Sequence, residues 1–473
     1  MAVQDGNNTY VNLSPSPLKE DQTKNGPLEA VLELYRSIER EYTKALEGTG
    51  VSFARWDNTR KKRQELLDQL SNRGASIRNK GASVVLGGIS KACIACTGAC
   101  VSRSYALSNN CHRDCFFCFN PNQKEFAYYC EHFFPWKKQL DELAATPEKP
   151  SCVALTGGEP LLYPDETIAF FEYARRLFPQ SHLRIYTSGD LLDKTLLHRL
   201  KQAGLDEIRF SVKQSDSDEL RENVFQRMSW AKELIPTVMV EMPVIPGTED
   251  YMHDLLRRLN AIGIDGINLL EFAYPMWNWP VYESLGLTLR NPVANVLYDY
   301  EYAGSLPIQD SEELCLSLMI WAHDEGLHLG MHYCSLENKH RAQMRNLNEQ
   351  YANIDSRYAF DYGDFFLKTA MVFGSDRALV RNKLMQFGCK DFIEDESTNS
   401  TSFHPRWLPF ASKVKRNDLE TVQVGVSYNV AVTSGRNKTA LRELKVGLID
   451  TEPMIELDGF SSFDKEMDEY RLL

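Results

Sequence analysis

The sequence predicts an α/β protein: a full or partial β/α barrel with a helical N-terminal extension and a small C-terminal α/β domain. Three observations carry this expectation. Short apolar segments alternate with helical ones over about 240 residues. Several helical segments open on Asp and close on Gly, the residues that start and stop helices. After about residue 340 that rhythm breaks and a shorter set of apolar runs begins. At roughly 150 residues per domain, a chain of 473 residues has room for two or three domains. The expected divisions are 1–92, a disordered tail and helical extension; 93–340, the barrel; and 341–473, the C-terminal domain.

In chain order, residues 1–27 are rich in Asn, Ser, Pro and charge and read as a disordered tail. Residues 28–80 read as helical: Leu28, Val31, Leu32, Leu34 and Tyr35 form a stripe of period 3.6, and Arg60–Leu70 continues in that style. The strand candidates are Val101–Leu107, Cys152–Leu155, Leu183–Tyr186, Glu207–Val212, Thr237–Val244, Gly266–Phe272 and Leu327–Tyr333. Between them, Asp165–Leu177, Asp193–Ala203, Asp218–Leu234 and Asp250–Ile262 carry helical patterns, with glycine stops at Gly204, Gly263 and Gly326. Such alternation implies a parallel sheet covered by helices. An open doubly wound sheet is the alternative from pattern alone. In the last part, Lys368–Phe373 (strand), Asp376–Phe387 (helix) and Asp391–Glu394 (strand) make a βαβ-like start. Val422–Val432 and Leu444–Asp450 add two apolar runs.

Composition narrows the function. The chain is 43% hydrophobic and 25% charged, which excludes a collagen, a mucin or a mainly disordered protein. No run approaches the ~18 apolar residues of a membrane span. The first residues lack the apolar core of a signal peptide, so a cytoplasmic protein is expected. A net charge of −12 argues against a broad nucleic-acid-binding face.

Eleven cysteines are present, and six of them lie between positions 93 and 118. A secreted disulfide scaffold would be short and evenly paired. This clustering reads better as thiolate ligands in a reducing compartment. Cys130, Cys152, Cys315, Cys334 and Cys389 are scattered and read as small buried hydrophobes. Cys111-His-Arg-Asp-Cys115-Phe-Phe-Cys118 places three thiolates on one tight loop, which can hold three irons of a [4Fe–4S] cluster and leave the fourth open. A zinc site is the other reading of the spacing, although it wants four closed ligands.

The context of that loop resembles the radical S-adenosylmethionine (radical SAM) enzymes. C-x3-C-x-Φ-C, with Phe117 before the last Cys, is similar to the family's signature, and it follows the strand ending Ser104–Asn110. Leu155-Thr-Gly-Gly-Glu-Pro160 resembles the family's GGEP motif at the end of the second strand. Thr187-Ser188-Gly189, Arg209–Lys213, Pro243–Gly247 and Gly263–Asn268 fall in matching order, so the resemblance covers about residues 99–335. It implies a [4Fe–4S] cluster on Cys111, Cys115 and Cys118 whose open iron chelates SAM. Reduction then cleaves the S–C5′ bond, and the 5′-deoxyadenosyl radical abstracts hydrogen from a substrate. It further implies that Gly157, Gly158 and Glu159 present backbone and carboxylate groups to the SAM amine. Phe117 would pack by the adenine, and Ser188, Ser211 and Lys213 would contact ribose or carboxylate. The implied partners are a small-molecule or peptide substrate and a flavodoxin- or ferredoxin-type electron donor.

Cys93-Ile-Ala-Cys96-Thr-Gly-Ala-Cys100 precedes the first strand at C-x2-C-x3-C spacing. It suggests a second iron–sulfur cluster, with structural zinc or plain reduced cysteines as the other readings. Its position resembles lipoyl synthase, although the spacings differ. Seven intervening strand residues could span about 23 Å and hold this trio far from the Cys111 loop. Cys334 and Cys130 are the candidate fourth ligands. Three functions therefore stand: hydrogen abstraction from a metabolite, natural product or peptide; sulfur insertion from an auxiliary cluster; and a non-catalytic zinc-stapled scaffold. Tyr274, Trp277 and Trp279 could line a substrate pocket or pack elsewhere. His328 and His332 read as rim or core histidines rather than a metal site.

Overall fold

The computed structural model describes residues 26–55, 59–96, 102–147, 149–214, 216–291, 305–415, 417, 421–434 and 438–449. The chain divides into two compact units. One comprises residues 52–293 and 300–342, the other residues 1–51, 294–299 and 343–473.

The first unit is built on a nine-stranded sheet: β1 (Ser76–Arg78), β2 (Ser83–Leu86), β3 (Ser102–Ala106), β4 (Cys152–Thr156), β5 (His182–Thr187), β6 (Glu207–Phe210), β7 (Thr237–Val244), β8 (Gly266–Glu271) and β9 (Gly330–Cys334). Its order is β1-β2-β9-β8-β7-β6-β5-β4-β3. β3 to β9 run parallel, while β2 joins β9 antiparallel and β1 joins β2. Each parallel strand is laid beside its predecessor on the same side, so every crossover advances in one direction. That is the winding of a β/α barrel; a doubly wound sheet would reverse its order at a switch point. The sheet ends at β1 and β3, so the barrel is partial.

Period-2 alternation sorts the strand residues onto two faces. Val153, Leu155, Ile185, Ile208, Phe210, Val240, Met242 and Leu269 form one core with residues of the covering helices, among them Phe171, Leu197, Met228 and Leu256. Each such fully buried apolar side chain contributes roughly 1.5–3 kcal/mol. The intervening residues Arg184, Glu207, Arg209, Glu241, Asn268 and His332 face the lumen and are polar.

The expected acidic helix starts are refined. Asp193 caps Lys194–Gln202, accepting the Leu196 N–H at 2.7 Å. Ser217 caps Asp218–Leu234, and Asp165, Asp218 and Asp250 lie in first turns instead, where they complement the helix dipole. Gly263 ends Glu249–Ile262 in the left-handed conformation, as its position predicts. The expectation that 28–80 is helical throughout does not hold. After helices Pro27–Glu47 and Thr59–Asn72 the chain forms β1, and β2 follows directly. Strands of three and four residues are too short to display alternation.

In the second unit, β10 (Leu367–Phe373), β11 (Ile393–Asp395), β12 (Ser400–Phe403), β13 (Gly425–Ser434) and β14 (Lys438–Leu448) form a sheet ordered β11-β12-β10-β13-β14. Every pairing in it is antiparallel. The βαβ-like start is thereby corrected: β12 inserts between β10 and β11. Its sequence, Ser-Thr-Ser-Phe, has one apolar residue and gives no strand signal. The N-terminal stripe finds its partner in this unit, where Leu28, Val31 and Leu32 pack with Met371, Phe373 and Val446. Among the described residues, no helix is long and apolar enough to cross a membrane.

Candidate active site

The C-terminal tips of β3 to β6 converge on the Cys111–Cys118 loop. β3 ends at Ala106, and the chain turns through Leu107–Asn110 into Cys111. The tip of β4 packs backbone to backbone against this turn. The Gly158 N–H donates to the Ser108 carbonyl and the Glu159 N–H to the Asn110 carbonyl, each at 2.8 Å. Gly157 has φ +111°, and a Cβ there would lie 2.5 Å from the Ser108 oxygen. A Cβ on Gly158 would overlap the Asn110 carbonyl outright. Gly157 is thus required by close approach and by conformation, Gly158 by close approach alone.

Glu159 is 3% exposed. Its carboxylate accepts from the Thr187 hydroxyl at 2.7 Å, the Ser188 N–H at 2.7 Å, the Ser188 hydroxyl at 2.7 Å and the Leu161 N–H at 3.1 Å. Its oxygens are therefore engaged by the tip of β5 and by its own turn. Ser188 also lies 2.5 Å from Asp190 through its hydroxyl. Asp190 in turn receives His112 at 2.9 Å and pairs with Arg113 at 2.8 Å. Arg113 reaches on to Asp216, beyond β6, at 3.1 Å. Burial raises the Asp190 carboxyl, but Ser188, His112 and Arg113 outweigh it and hold the group below its ordinary value.

The far side of the loop is tied down as well. Asn120 donates to the Gly157 carbonyl at 2.6 Å, and Trp277 donates from its indole nitrogen to the Cys118 carbonyl at 2.6 Å. Asn122 donates to the Pro275 carbonyl. Phe117 packs edge-on to Phe116 and to Phe272, at ring separations of 5.2 and 6.0 Å. Tyr274 and Trp279 are buried against Tyr282 rather than lining an opening.

All three thiols are free. Burial pushes each of them up, Cys115 to about 11, while the Lys213 ammonium pulls each one the other way. Lys213 is 7% exposed, and its ammonium has no hydrogen-bond or ion-pair acceptor among the described residues. Ser211 is half-buried, with its N–H on the Thr187 carbonyl at 3.0 Å. Lys213 is largely buried, but its ammonium is not among the buried side-chain atoms left without a partner, so it keeps some contact with solvent; beside three thiols it favours an anion. Thiolates holding an iron–sulfur cluster, together with a carboxylate ligand, supply that charge, so the donor set fits a [4Fe–4S] cluster and SAM. Among the described residues no three His, Cys, Asp or Glu side chains converge on a point one ion could fill. A multi-iron cluster spaces its thiolates more widely than a single zinc does.

Of the second cysteine trio, Cys93 is buried on the short helix Lys91–Ile94, Cys96 follows that helix, and Cys100 lies outside the described residues. A cavity of about 860 Å³ beside β3, lined by Arg103, Tyr105, Phe134, Glu142 and Leu143, includes none of the site residues. Sequence reasoning missed His112, Arg113, Asn120 and Trp277 as holders of the loop. The first two sit inside the cysteine motif itself; Trp277 was expected to line a pocket or pack elsewhere rather than to hold the loop, and Asn120 gave no signal.

Residues 105–259 match the Radical SAM superfamily. The chain is 26% identical over 280 residues to the "Putative glycyl-radical enzyme activating enzyme" of Methanocaldococcus jannaschii, covering 57% of this chain and 70% of that one. It is 29% identical over 175 residues to the PqqA peptide cyclase of Granulibacter bethesdensis, covering 35% of this chain and 45% of the cyclase. Among solved structures, Streptococcus suis SuiB bound to its precursor peptide SuiA aligns with a TM-score of 0.37 at 13% identity. That alignment covers 66% of this chain and 64% of SuiB.

Proposed function

Because the chain is a radical SAM enzyme, with residues 105–259 forming its family domain, we propose that it cleaves SAM at a [4Fe–4S] cluster on Cys111, Cys115 and Cys118 and abstracts hydrogen from a peptide or protein substrate. The observation that carries the site assignment is the convergence of the cysteine loop, the Gly157–Glu159 turn and the largely buried Lys213 on one set of strand tips. When bound, the cluster delivers the electron that breaks the S–C5′ bond of SAM and generates the 5′-deoxyadenosyl radical.

The chain's own residues position and shield. Lys213 offers an ammonium to a carboxylate or to the anionic centre. Glu159 holds the tips of β4 and β5 together, so the backbone beside it, rather than its carboxylate, is left to meet the SAM amine. His112 and Arg113 fix the loop to Asp190 and Asp216. The ring cluster of Phe116, Phe117, Phe272 and Tyr282 keeps water from the loop's inner side. The polypeptide substrate is supported by the names of the two curated relatives, one for activating a glycyl-radical enzyme and the other for cyclising a peptide. A flavodoxin- or ferredoxin-type protein is the proposed electron donor.

The test begins with anaerobic reconstitution and reduction by dithionite. Wild type is expected to form 5′-deoxyadenosine above a Cys115→Ala control; equal yields would refute the cluster assignment. Candidate peptides and a metabolite extract are then supplied separately. Peptides are expected to stimulate turnover and to leave with a mass change. Stimulation by the metabolite extract alone would overturn the peptide reading and leave the cleavage chemistry standing.

A further inference from the structure

The lumen of the partial barrel is filled with charge, and the helix Lys91–Ile94 sits within it. Arg209, 1% exposed, is the hub. It donates from Nε to Glu207 at 2.5 Å, from Nη1 to Glu241, and from Nη2 to the Cys93 sulfur at 3.1 Å. Ser90 caps the helix, accepting the Ala92 N–H at 3.1 Å, and its own hydroxyl donates to Glu207. His182 reaches Glu207 at 2.8 Å and Asn268 reaches Glu241 at 2.6 Å. β6, β7 and β8 thus hold Cys93 inside the barrel, so the expected separation along an extended strand does not place it outside.

Cys334 comes from β9, next to β8 in the same sheet. It ends β9, is 8% exposed, pairs across the sheet with Ser83, and its sulfur accepts from the Asn338 amide at 3.2 Å. Cys334 shares the lumen-facing side of β9 with His332, two residues before it; His332 pairs in register with Asn268, and Asn268 donates to Glu241, the carboxylate that also holds Arg209, so Cys334 and Cys93 face one lumen. Cys152 also faces the lumen, but it packs with Ala92 and Ala95 as an apolar group.

Two features call for an anionic occupant beside these sulfurs. Arg184 is 3% exposed and makes no ion pair among the described residues, because Arg209 takes an oxygen of each neighbouring glutamate. In addition, Arg184 Nε is itself buried without a partner; Asn268 Oδ1 and His332 Nδ1 on the same face are unpartnered too, but the amide oxygen calls for a donor rather than an anion. Their residues are each 4% exposed or less. A guanidinium left so costs several kcal/mol unless a negative group joins it. Sulfurs already accepting hydrogen bonds from a guanidinium and an amide are dressed as metal-bound thiolates are. Since no three ligands converge on a single-ion point, a cluster of several irons fits this spacing better than zinc.

We propose that Cys93 and Cys334 from the barrel lumen and Cys96 from its solvent-exposed side ligate a second iron–sulfur cluster at the lumen's mouth, with Arg209 and Asn338 as positioning residues that donate to its thiolates. This is independent of the Cys111 loop, and Cys334, far along the chain from Cys96, is brought to the site by β9 rather than by motif spacing.

The test uses the full chain with Cys111, Cys115 and Cys118 all replaced by Ala, which removes the loop's ligands. Reconstituted anaerobically with iron and sulfide, this variant is expected to keep iron and acid-labile sulfide in equal amounts and to give an iron–sulfur EPR signal on reduction. Adding Cys334→Ala or Cys93→Ala is expected to remove most of that iron, whereas Cys152→Ala leaves it in place. Circular dichroism checks that each variant is folded. Cys334→Ser, close to isosteric, covers the case of misfolding: it is expected to fold and to lose the iron or shift the EPR g values. Asn338→Ala is expected to shift the reduction potential with iron retained. No iron in the loop variant, zinc without sulfide, or unchanged iron and spectra in Cys334→Ser would overturn the proposal. None of these outcomes bears on SAM cleavage, which is read in the variants that retain the loop.

Discussion

Replacing Glu159 with Ala separates a locking role from a ligand-binding one. The carboxylate accepts four hydrogen bonds, three of them at 2.7 Å, and the residue is 3% exposed. Ala leaves the Ser188 N–H, the Leu161 N–H and the Thr187 hydroxyl without their acceptor; the Ser188 hydroxyl can turn to Asp190. A buried donor stripped of its partner costs about 1–3 kcal/mol. The hydroxyl can rotate and water can enter the space, so the sum is about 3–5 kcal/mol rather than the full threefold cost. For a unit of this size that is a fall in Tm of about 6–15 °C. Glu159→Gln keeps one acceptor oxygen but turns an amide N–H₂ toward the other donors, and about half the loss is expected. The assay is thermal unfolding of the apo and reconstituted proteins, alongside SAM affinity by equilibrium dialysis. If Glu159→Ala unfolds within 2 °C of wild type while SAM affinity collapses, the carboxylate serves the ligand and the locking argument is refuted.

Other perturbations follow from the same geometry. Gly158→Ala drives a Cβ into the Asn110 carbonyl, so the Cys111 loop must move; iron content after reconstitution is expected to fall severalfold, and full iron content would contradict the close packing. Lys213→Met removes the largely buried cation and keeps an unbranched side chain one atom shorter; SAM affinity is expected to drop at least about tenfold, the equivalent of ~1.4 kcal/mol in a charge-assisted contact, and an unchanged Kd would count against its role. In the second unit, burial raises the Glu443 carboxyl to about 7, against the opposing bonds from Tyr35 and Ser427. Its folded form therefore binds a proton that the unfolded chain has released between the ordinary carboxylate range and pH 7. Stability of this unit should fall as pH rises through that window, and Glu443→Gln should flatten the dependence in urea unfolding curves.

The barrel was legible because its strands are buried on their outer face by long helices, which forces periodic patterns in both. Thr237–Val244 and Asp218–Leu234 are found at the bounds their patterns give. The winding direction was not legible: alternation of strand and helix is common to both parallel architectures, and only the pairing order decides. β12 was missed because Ser400–Phe403 contributes one apolar side chain and is otherwise buried by backbone pairing and hydroxyl bonds. The cysteine loop announced itself by residue type. Its supports did not, since Asp190, Asp216, Asn120 and Trp277 belong to four separate segments and meet only in three dimensions. Glu159 illustrates the limit most clearly. The motif placed it correctly at a strand tip, but whether its carboxylate faces outward or inward depends on Thr187 and Ser188, nearly thirty residues away.

These supports bear on how the loop handles its cofactor. A short loop that chose its conformation only when metal bound would draw the ordering cost from the binding free energy, as small metal-folded domains do. Here the segment from His112 to Asn122 is fixed from both sides. His112 and Arg113 are held by acids beyond β5 and β6, Asn120 by the β4 tip, and the Cys118 carbonyl by Trp277. Each anchor comes from the barrel rather than from the loop, so the thiols are presented by a scaffold that hydrophobic packing has already paid for. The same division runs through the lumen, where β6, β7 and β8 hold Arg209 and Arg209 holds Cys93. In both places the outer face of the sheet supplies stability through its helices, which frees the inner face and the strand tips to carry buried charge that would destabilise a smaller fold.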